Sequence, residues 1–142
     1  MNLDDAMKAF LPLTLVAGLA LAAACTQPSE PQGALLYVEN CTGCHGLTGQ
    51  GDGPLAGDYG IDVPDLTLIS ARNGGVFPMA DVMSTIDGFT RVQHGNVVMP
   101  EFGALLEDGP IVSFDSGDGI PTPTPAALVA LAEYLETLQR TP

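Results

Sequence analysis

Apolar positions fall into three kinds of pattern along this chain. From Phe10 to Ala24 they form one nearly unbroken run of 15 residues, following a short polar start with Lys8 and ending in small residues. A helix needs roughly 20 apolar residues to cross the hydrocarbon core, and Pro12 interrupts the start of the run, so residues 1–24 read as an export signal and less well as an anchor. Asp4 and Asp5 are unusual in such a segment, and a start at Met7 gives a tidier one. Near the other end, Leu128, Leu131, Leu135 and Leu138 recur at intervals of 3, 4 and 3. That stripe predicts a helix, with Thr124 as N-cap and Pro125 at the first helical position. A first helix is expected from about Glu30, where Ser29 and Gln32 fit a capping box and Pro31 sits in the first turn. Two short helices are expected at Asp65 to Arg72 and Ala80 to Asp87, each stopped by Gly or Asn-Gly. No long alternating stretch predicts a sheet. IVSF at 111–114 reads at most as a short extended piece, and PTPTP at 121–125 as a stiff polyproline-like spacer. The expected fold class is all-α.

Composition sets the scale. The chain has 142 residues, 46% hydrophobic and 15% charged, which suits one small domain. TQPSEPQ, residues 26–32, has the polar, proline-rich composition of a tether. The expected organisation is a signal at 1–24, a tether at 25–32 and a folded domain at 33–140, with an acidic insert at about 103–123. Cleavage before Cys25 leaves 15 acids against Arg72, Arg91 and Arg140, a formal charge of −12 with no lysine. Such a surface argues against nucleic acid and suits a basic protein partner, although acidity for solubility alone explains it equally well. Two readings of the cleavage site stay open. Ala22-Ala23-Ala24 suits ordinary signal peptidase, while a cysteine after small residues with Leu21 upstream resembles a bacterial lipobox, departing from it at Ala22. A lipidated Cys25 accounts for the odd third cysteine and suffices for membrane anchoring.

The chemistry is concentrated at CTGCH, residues 41–45. In an exported protein this pair of cysteines could form a redox disulfide, bind zinc or attach haem through thioether bonds. On one helical turn Cys41 and Cys44 share a face, about 5–6 Å apart at Cβ, while His45 directs its imidazole to an iron. C-x-x-C-H therefore reads as a c-type haem attachment site. Zinc would have only His94 as a fourth ligand, in a pattern unlike structural zinc modules, and no βαβ pattern flanks Cys41 as a thioredoxin motif requires. For a sixth iron ligand the candidates are Met79, Met83, Met99 and His94. Met99 stands in NVVMPEFG, where Pro100 biases it toward extended backbone and a projecting sulfur. Met83 lies in the helix-like ADVMSTI, where an apolar side chain suits the core, Met79 reads as a loop or core residue, and His94 beside Gly95 reads as a loop histidine.

Taken together, GALLYVENCTGCHG, GQGDGP, VPDLTLISARNGGVFP, HGNVVMPEFG and ALVALAEYLETLQ resemble a class I cytochrome c from about Gly33 to Gln139. The resemblance implies a cytochrome c fold in which N- and C-terminal helices cross, and short helices and loops wrap one covalently bound haem c. It implies that Cys41 and Cys44 attach the haem, that His45 and Met99 ligate its iron, and that Gly33 and Tyr37 meet Leu131 and Tyr134 where the helices approach. Pro54, nine residues after His45, matches a proline whose carbonyl accepts a hydrogen bond from the ligating imidazole. Gly49, Gly51 and Gly53 would be turn residues near the haem, forming no P-loop. Arg72 and Asn73 match residues facing the propionates, or else an ordinary helix end. The implied function is one-electron transfer, without catalysis, between membrane-associated or periplasmic redox proteins. The implied location is the periplasm or the periplasmic face of a bacterial membrane. A gas sensor or haem enzyme with an open sixth position, and a fixed relay within a larger complex, stay as alternatives. The long acidic insert would shield the Met99 side, dock a partner or simply lie on the surface.

Overall fold

The core is organised on one helix, Ala126–Thr137, whose Leu128, Val129, Ala130, Leu131, Ala132 and Leu135 are all buried. The computed structural model describes residues 30–94 and 97–141, without the side chains of residues 30, 31, 93, 94, 97 and 98. The signal at 1–24, Cys25 and the Ser29 cap lie outside the described residues. The elements in chain order are α1 (Glu30–Asn40), α2 (Thr42–His45), α3 (Pro54–Tyr59), a 3-10 turn (Leu66–Leu68), α4 (Ile69–Arg72), α5 (Met79–Asp87), β1 (Gln93–His94), β2 (Val97–Val98), α6 (Gly103–Leu106), β3 (Ile111–Phe114), β4 (Thr122–Pro125) and α7 (Ala126–Thr137). Among the described residues no helix is long and apolar enough to cross a membrane.

α1 crosses α7 so closely that only glycine fits at the contact. A Cβ on Gly33 would collide with the Ala130 carbonyl oxygen and lie 2.8 Å from Tyr134 Cβ. One turn on, Tyr37 is fully buried, and its ring centroid is 5.4 Å from that of Tyr134 at an interplanar angle of 51°, a tilted aromatic pair. α5 packs Val82, Met83 and Ile86 into the same core, and α6 adds Leu106.

The chain end clasps the segment before α4. Asp65 caps the 3-10 turn by accepting from the Thr67 N–H at 2.8 Å and from the Thr67 hydroxyl. Arg140 donates its backbone N–H to the Thr67 carbonyl at 2.8 Å, its Nε to the Thr67 hydroxyl at 2.7 Å and its Nη2 to Asp65 at 2.8 Å. Gln139 accepts from the Ser70 N–H and donates to the Leu66 carbonyl, both at 2.9 Å.

The fold is mainly helical, as expected, with two small antiparallel pairs added, β1 with β2 and β3 with β4. Two further expectations need correction. PTPTP is not a free polyproline spacer, because Thr122 to Pro125 forms β4 against IVSF in β3. A strand in a two-stranded ladder needs N–H groups on one side only, and alternating Thr with Pro leaves a donor at every second residue. Nor does Thr124 cap the last helix. It stands in β4 with its hydroxyl donated to the Thr122 carbonyl at 3.0 Å, and α7 starts at Ala126 with Pro125 preceding it. The segment from Asp65 to Arg72 divides into the 3-10 turn and α4, and α5 begins one residue early, at Met79.

Two predictions follow from these contacts. Gly33→Ala forces a methyl group into the α1–α7 crossing and should cost about 1–3 kcal/mol. A thermal melt of the holoprotein should show Tm lower by several degrees, and an unchanged Tm would refute the close crossing. For Asp65, burial alone would raise the carboxyl, but hydrogen bonds from Thr67 and the Arg140 guanidinium hold it below its ordinary value. A group whose folded pKa is depressed contributes stability above its unfolded pKa of about 3.9 and loses it as pH falls through the folded pKa. The Tm gap between wild type and Asp65→Asn should therefore be full at neutral pH and close below about pH 4, as melts across a pH series would measure.

Candidate cofactor cleft

The C-terminal end of α1 leads straight into the cysteine motif. Cys41 donates its N–H to the Tyr37 carbonyl at 2.9 Å, and His45 donates to the Cys41 carbonyl at 2.9 Å, so the helical turn continues through the motif. Cys41 and His45, four apart, consequently share a face, and both line one cleft of about 260 Å³. His45 is buried, at 7% exposure. Cys41 and Cys44 are half-buried free thiols, and Cys44 is not among the residues lining the cleft. Burial, with Cys44 adding to it, pushes the Cys41 thiol up to about 11, so it is protonated at neutral pH.

The loop after His45 folds back on the motif. Gly51 donates to the His45 carbonyl at 2.9 Å and Gly53 to the Cys44 carbonyl at 3.1 Å. This approach requires glycine at 53, where a Cβ would lie 2.6 Å from the Cys44 carbonyl carbon and oxygen. Pro54 follows as the exposed first residue of α3, outside the cleft lining.

Met99 reaches the same cleft from the β1–β2 hairpin. Its N–H donates to the Val92 carbonyl at 3.1 Å, extending the register in which Gln93 opposes Val98, and Phe102 donates to the Ile86 carbonyl at 3.0 Å just beyond. Met83 is buried in the core and Met79 packs against it. The His94 side chain lies outside the described residues. The remaining walls are mostly apolar, with Leu131 and Leu135 from α7, Val82 and Ile86 from α5, and Leu66 and Ile69 from the clasped segment.

Arg72 and Asp81 are the ionised side chains on these walls. Arg72 donates to the Asp65 carbonyl at 2.8 Å, whereas Asn73 donates to the Val76 carbonyl at 2.9 Å and does not line the cleft. Of the two residues, Arg72 lines the cleft and Asn73 is directed to its own turn. Among the described residues no group of three or more His, Cys, Asp or Glu could hold a metal ion.

The donor set fits a c-type haem. One thiol, one imidazole and one thioether converge on an apolar cleft, and a second thiol stands one helical turn along from the first. A family model described as Cytochrome c matches residues 31–139. The chain belongs to the cytochrome c family. No curated protein and no solved structure matches it. Cytochromes c bind a covalently attached c-type haem with iron and serve in haem-based electron transfer.

Tyr37 has a role in this cytochrome that its sequence pattern does not reveal. Its hydroxyl, on the cleft wall, donates to the carbonyl of Gly46 at 2.7 Å, tying α1 to the residue directly after His45. Burial first, and Cys41 next, raise its pKa, so the donor stays protonated. No local periodicity joins positions 37 and 46. Only a bulky aromatic at the α1–α7 contact hints at it. Tyr37→Phe keeps the ring and leaves the buried Gly46 carbonyl only the longer bond from the Gly49 N–H at 3.3 Å, which should cost about 0.5–1.5 kcal/mol. The expected result is a lower denaturation midpoint at unchanged m in urea, and an unchanged midpoint would show the bond to be energetically idle.

Proposed function

We propose that this cytochrome is a one-electron carrier in which Cys41 and Cys44 hold a single haem, His45 and Met99 ligate its iron, and no substrate is chemically transformed. The observation carrying this reading is that Cys41, His45 and Met99 line one apolar cleft. Bound there, the haem supplies a ferric/ferrous couple. His45 offers a nitrogen donor and Met99 a soft sulfur donor, and the sulfur favours the reduced state. The apolar walls from α5 and α7 keep water away, which works in the same direction by disfavouring the more highly charged state. Two of the polar side chains on the walls are engaged elsewhere: Arg72 donates to the Asp65 carbonyl, and the Thr85 hydroxyl donates to the Asp81 backbone carbonyl, both at 2.8 Å. Neither is set up as a general acid or base.

The partners we infer are redox proteins with a basic docking surface. Each described arginine already has an acceptor within the molecule, Arg91 on Glu101 and Arg72 and Arg140 on Asp65, so most carboxylates face outward uncompensated. A negative field of this kind orients the carrier and speeds encounter without tight binding, and it repels nucleic acid. The apolar run before Cys25 supports an exported carrier at the periplasmic face of a bacterial membrane, held there by lipid if Cys25 is acylated.

The test is the visible spectrum of protein matured with haem. A low-spin spectrum with the weak far-red sulfur-to-ferric-iron band, inert to carbon monoxide, is expected. Met99→Ala should abolish that band and open the iron to carbon monoxide and imidazole at neutral pH. If ligand access is unchanged in the variant, Met99 is not the sixth ligand. A wild-type protein that itself binds carbon monoxide would replace the carrier by a gas sensor or haem enzyme.

A further inference from the structure

The acidic insert forms a hairpin whose two outer edges are chemically unlike. Its register pairs Ile111 with Pro125, Val112 with Thr124, Ser113 with Pro123 and Phe114 with Thr122. In an antiparallel ladder, opposed residues alternate between pairs that exchange both hydrogen bonds and pairs that exchange none. Proline cannot donate, so the bonded pairs are Val112 with Thr124 and Phe114 with Thr122. The bond from the Ala126 N–H to the Pro110 carbonyl at 2.9 Å continues the same parity. The backbone N–H and C=O of Ile111 and Ser113 therefore point away from β4, and no hydrogen bond among the described residues takes them up. On the other side, the outward positions of β4 are Pro123 and Pro125, which carry no N–H. One edge is closed and the other is open.

The open edge is exposed and apolar at its start, with Ile111 at 58% and Val112 at 38%, while Phe114 turns inward to pack on the core. It is bracketed by carboxylates, Glu107 and Asp108 before it and Asp115 and Asp118 in the turn after it. None of the four pairs with a cation among the described residues. Asp115 accepts from the N–H groups of Gly117 and Gly119 at 2.9 and 3.0 Å, which fixes the turn and leaves its charge unopposed. A second copy of this chain is a poor occupant. Antiparallel β3–β3 pairing would set Glu107 and Asp108 of one copy against Asp115 and Asp118 of the other, and like charges so opposed are repelled.

We propose that the outer edge of β3 is a docking site for an extended, lysine- or arginine-rich segment of a partner protein, which adds as a third strand. Backbone bonds to Ile111 and Ser113 supply the pairing, and the carboxylates at both ends select for basic side chains. The edge lies outside the cleft lining, so the proposal stands or falls independently of the iron ligands.

The experiment titrates the reduced, isotope-labelled holoprotein with a short peptide alternating lysine with valine, and separately with its glutamate-for-lysine counterpart. The lysine peptide should shift the amide signals of Ile111 and Ser113 and slow their hydrogen exchange, and the glutamate peptide should do neither. Ser113→Pro removes an outward N–H without touching a ladder bond and should abolish binding, with Phe114 and Thr124 signals reporting that the hairpin persists. Glu107→Gln, Asp108→Asn and Asp118→Asn leave the backbone edge intact and should each weaken binding roughly two- to fivefold at low salt, an effect that added salt removes. The proposal is overturned if the shifts spread over the acidic surface without the edge amides, if both peptides bind alike, or if the edge amides are protected in the absence of peptide by dimerisation.

Discussion

The wall of the cleft that carries the cysteine motif takes its position from how closely α1 lies on α7. The Gly33 backbone rests against the Ala130 carbonyl, and that approach places Tyr37 one turn later, between the helices and beside Tyr134. Tyr37 then does two things at once: its ring lines the cleft and its hydroxyl holds the Gly46 carbonyl. The turn bearing Cys41 and His45 is thus fixed at both ends, by the α1 hydrogen bond into Cys41 and by the tyrosine beyond His45. A methyl group at position 33 would act at a distance of several residues, because a close-packed interface transmits a displacement instead of absorbing it.

The other walls hang from separate attachments. Leu66 and Ile69 are held where Gln139 and Arg140 clasp the 3-10 turn, and Met99 is held where the β1–β2 hairpin returns to Val92. α7 gives Leu131 and Leu135 to the cleft and continues into the clasping residues at its end. A thiol, an imidazole and a thioether from distant parts of the sequence can converge because one helix supplies the common reference.

What could be read from the sequence was local or periodic. The leucine stripe of α7 and the helical turn at CTGCH rest on spacings of three and four, which a helix enforces by itself. The hairpin was illegible for the opposite reason. Its strands are joined by a loop and carry no clean alternation, and Thr-Pro repeats have the same dihedral preference in polyproline II as in an edge strand, so only the partner strand decides between them. The misplaced helix cap has the same origin, since Thr124 was committed to the ladder before α7 could use it. Arg140 gave no signal at all. A lone arginine near a chain end reads as surface charge, and its three bonds to one turn depend on the tertiary approach of positions 65 and 140.

Charge and architecture are connected through those arginines. Beyond Lys8 the chain has no lysine, and its remaining cations are Arg72, Arg91 and Arg140. Each is used as a directional donor to a neighbouring segment: Arg72 to the Asp65 carbonyl, Arg91 to Glu101 beside the Met99 loop at 2.5 Å, and Arg140 through Nε and Nη2 to two different acceptors. An ammonium group could neutralise the same carboxylates but could not offer a planar fork to two oxygens in fixed directions. The retained cations therefore stitch loops to the core, and the outward field is left to the carboxylates. Acidity at the surface and arginine within the loop contacts come from one division of labour: positive charge serves geometry, and negative charge is what a partner meets first.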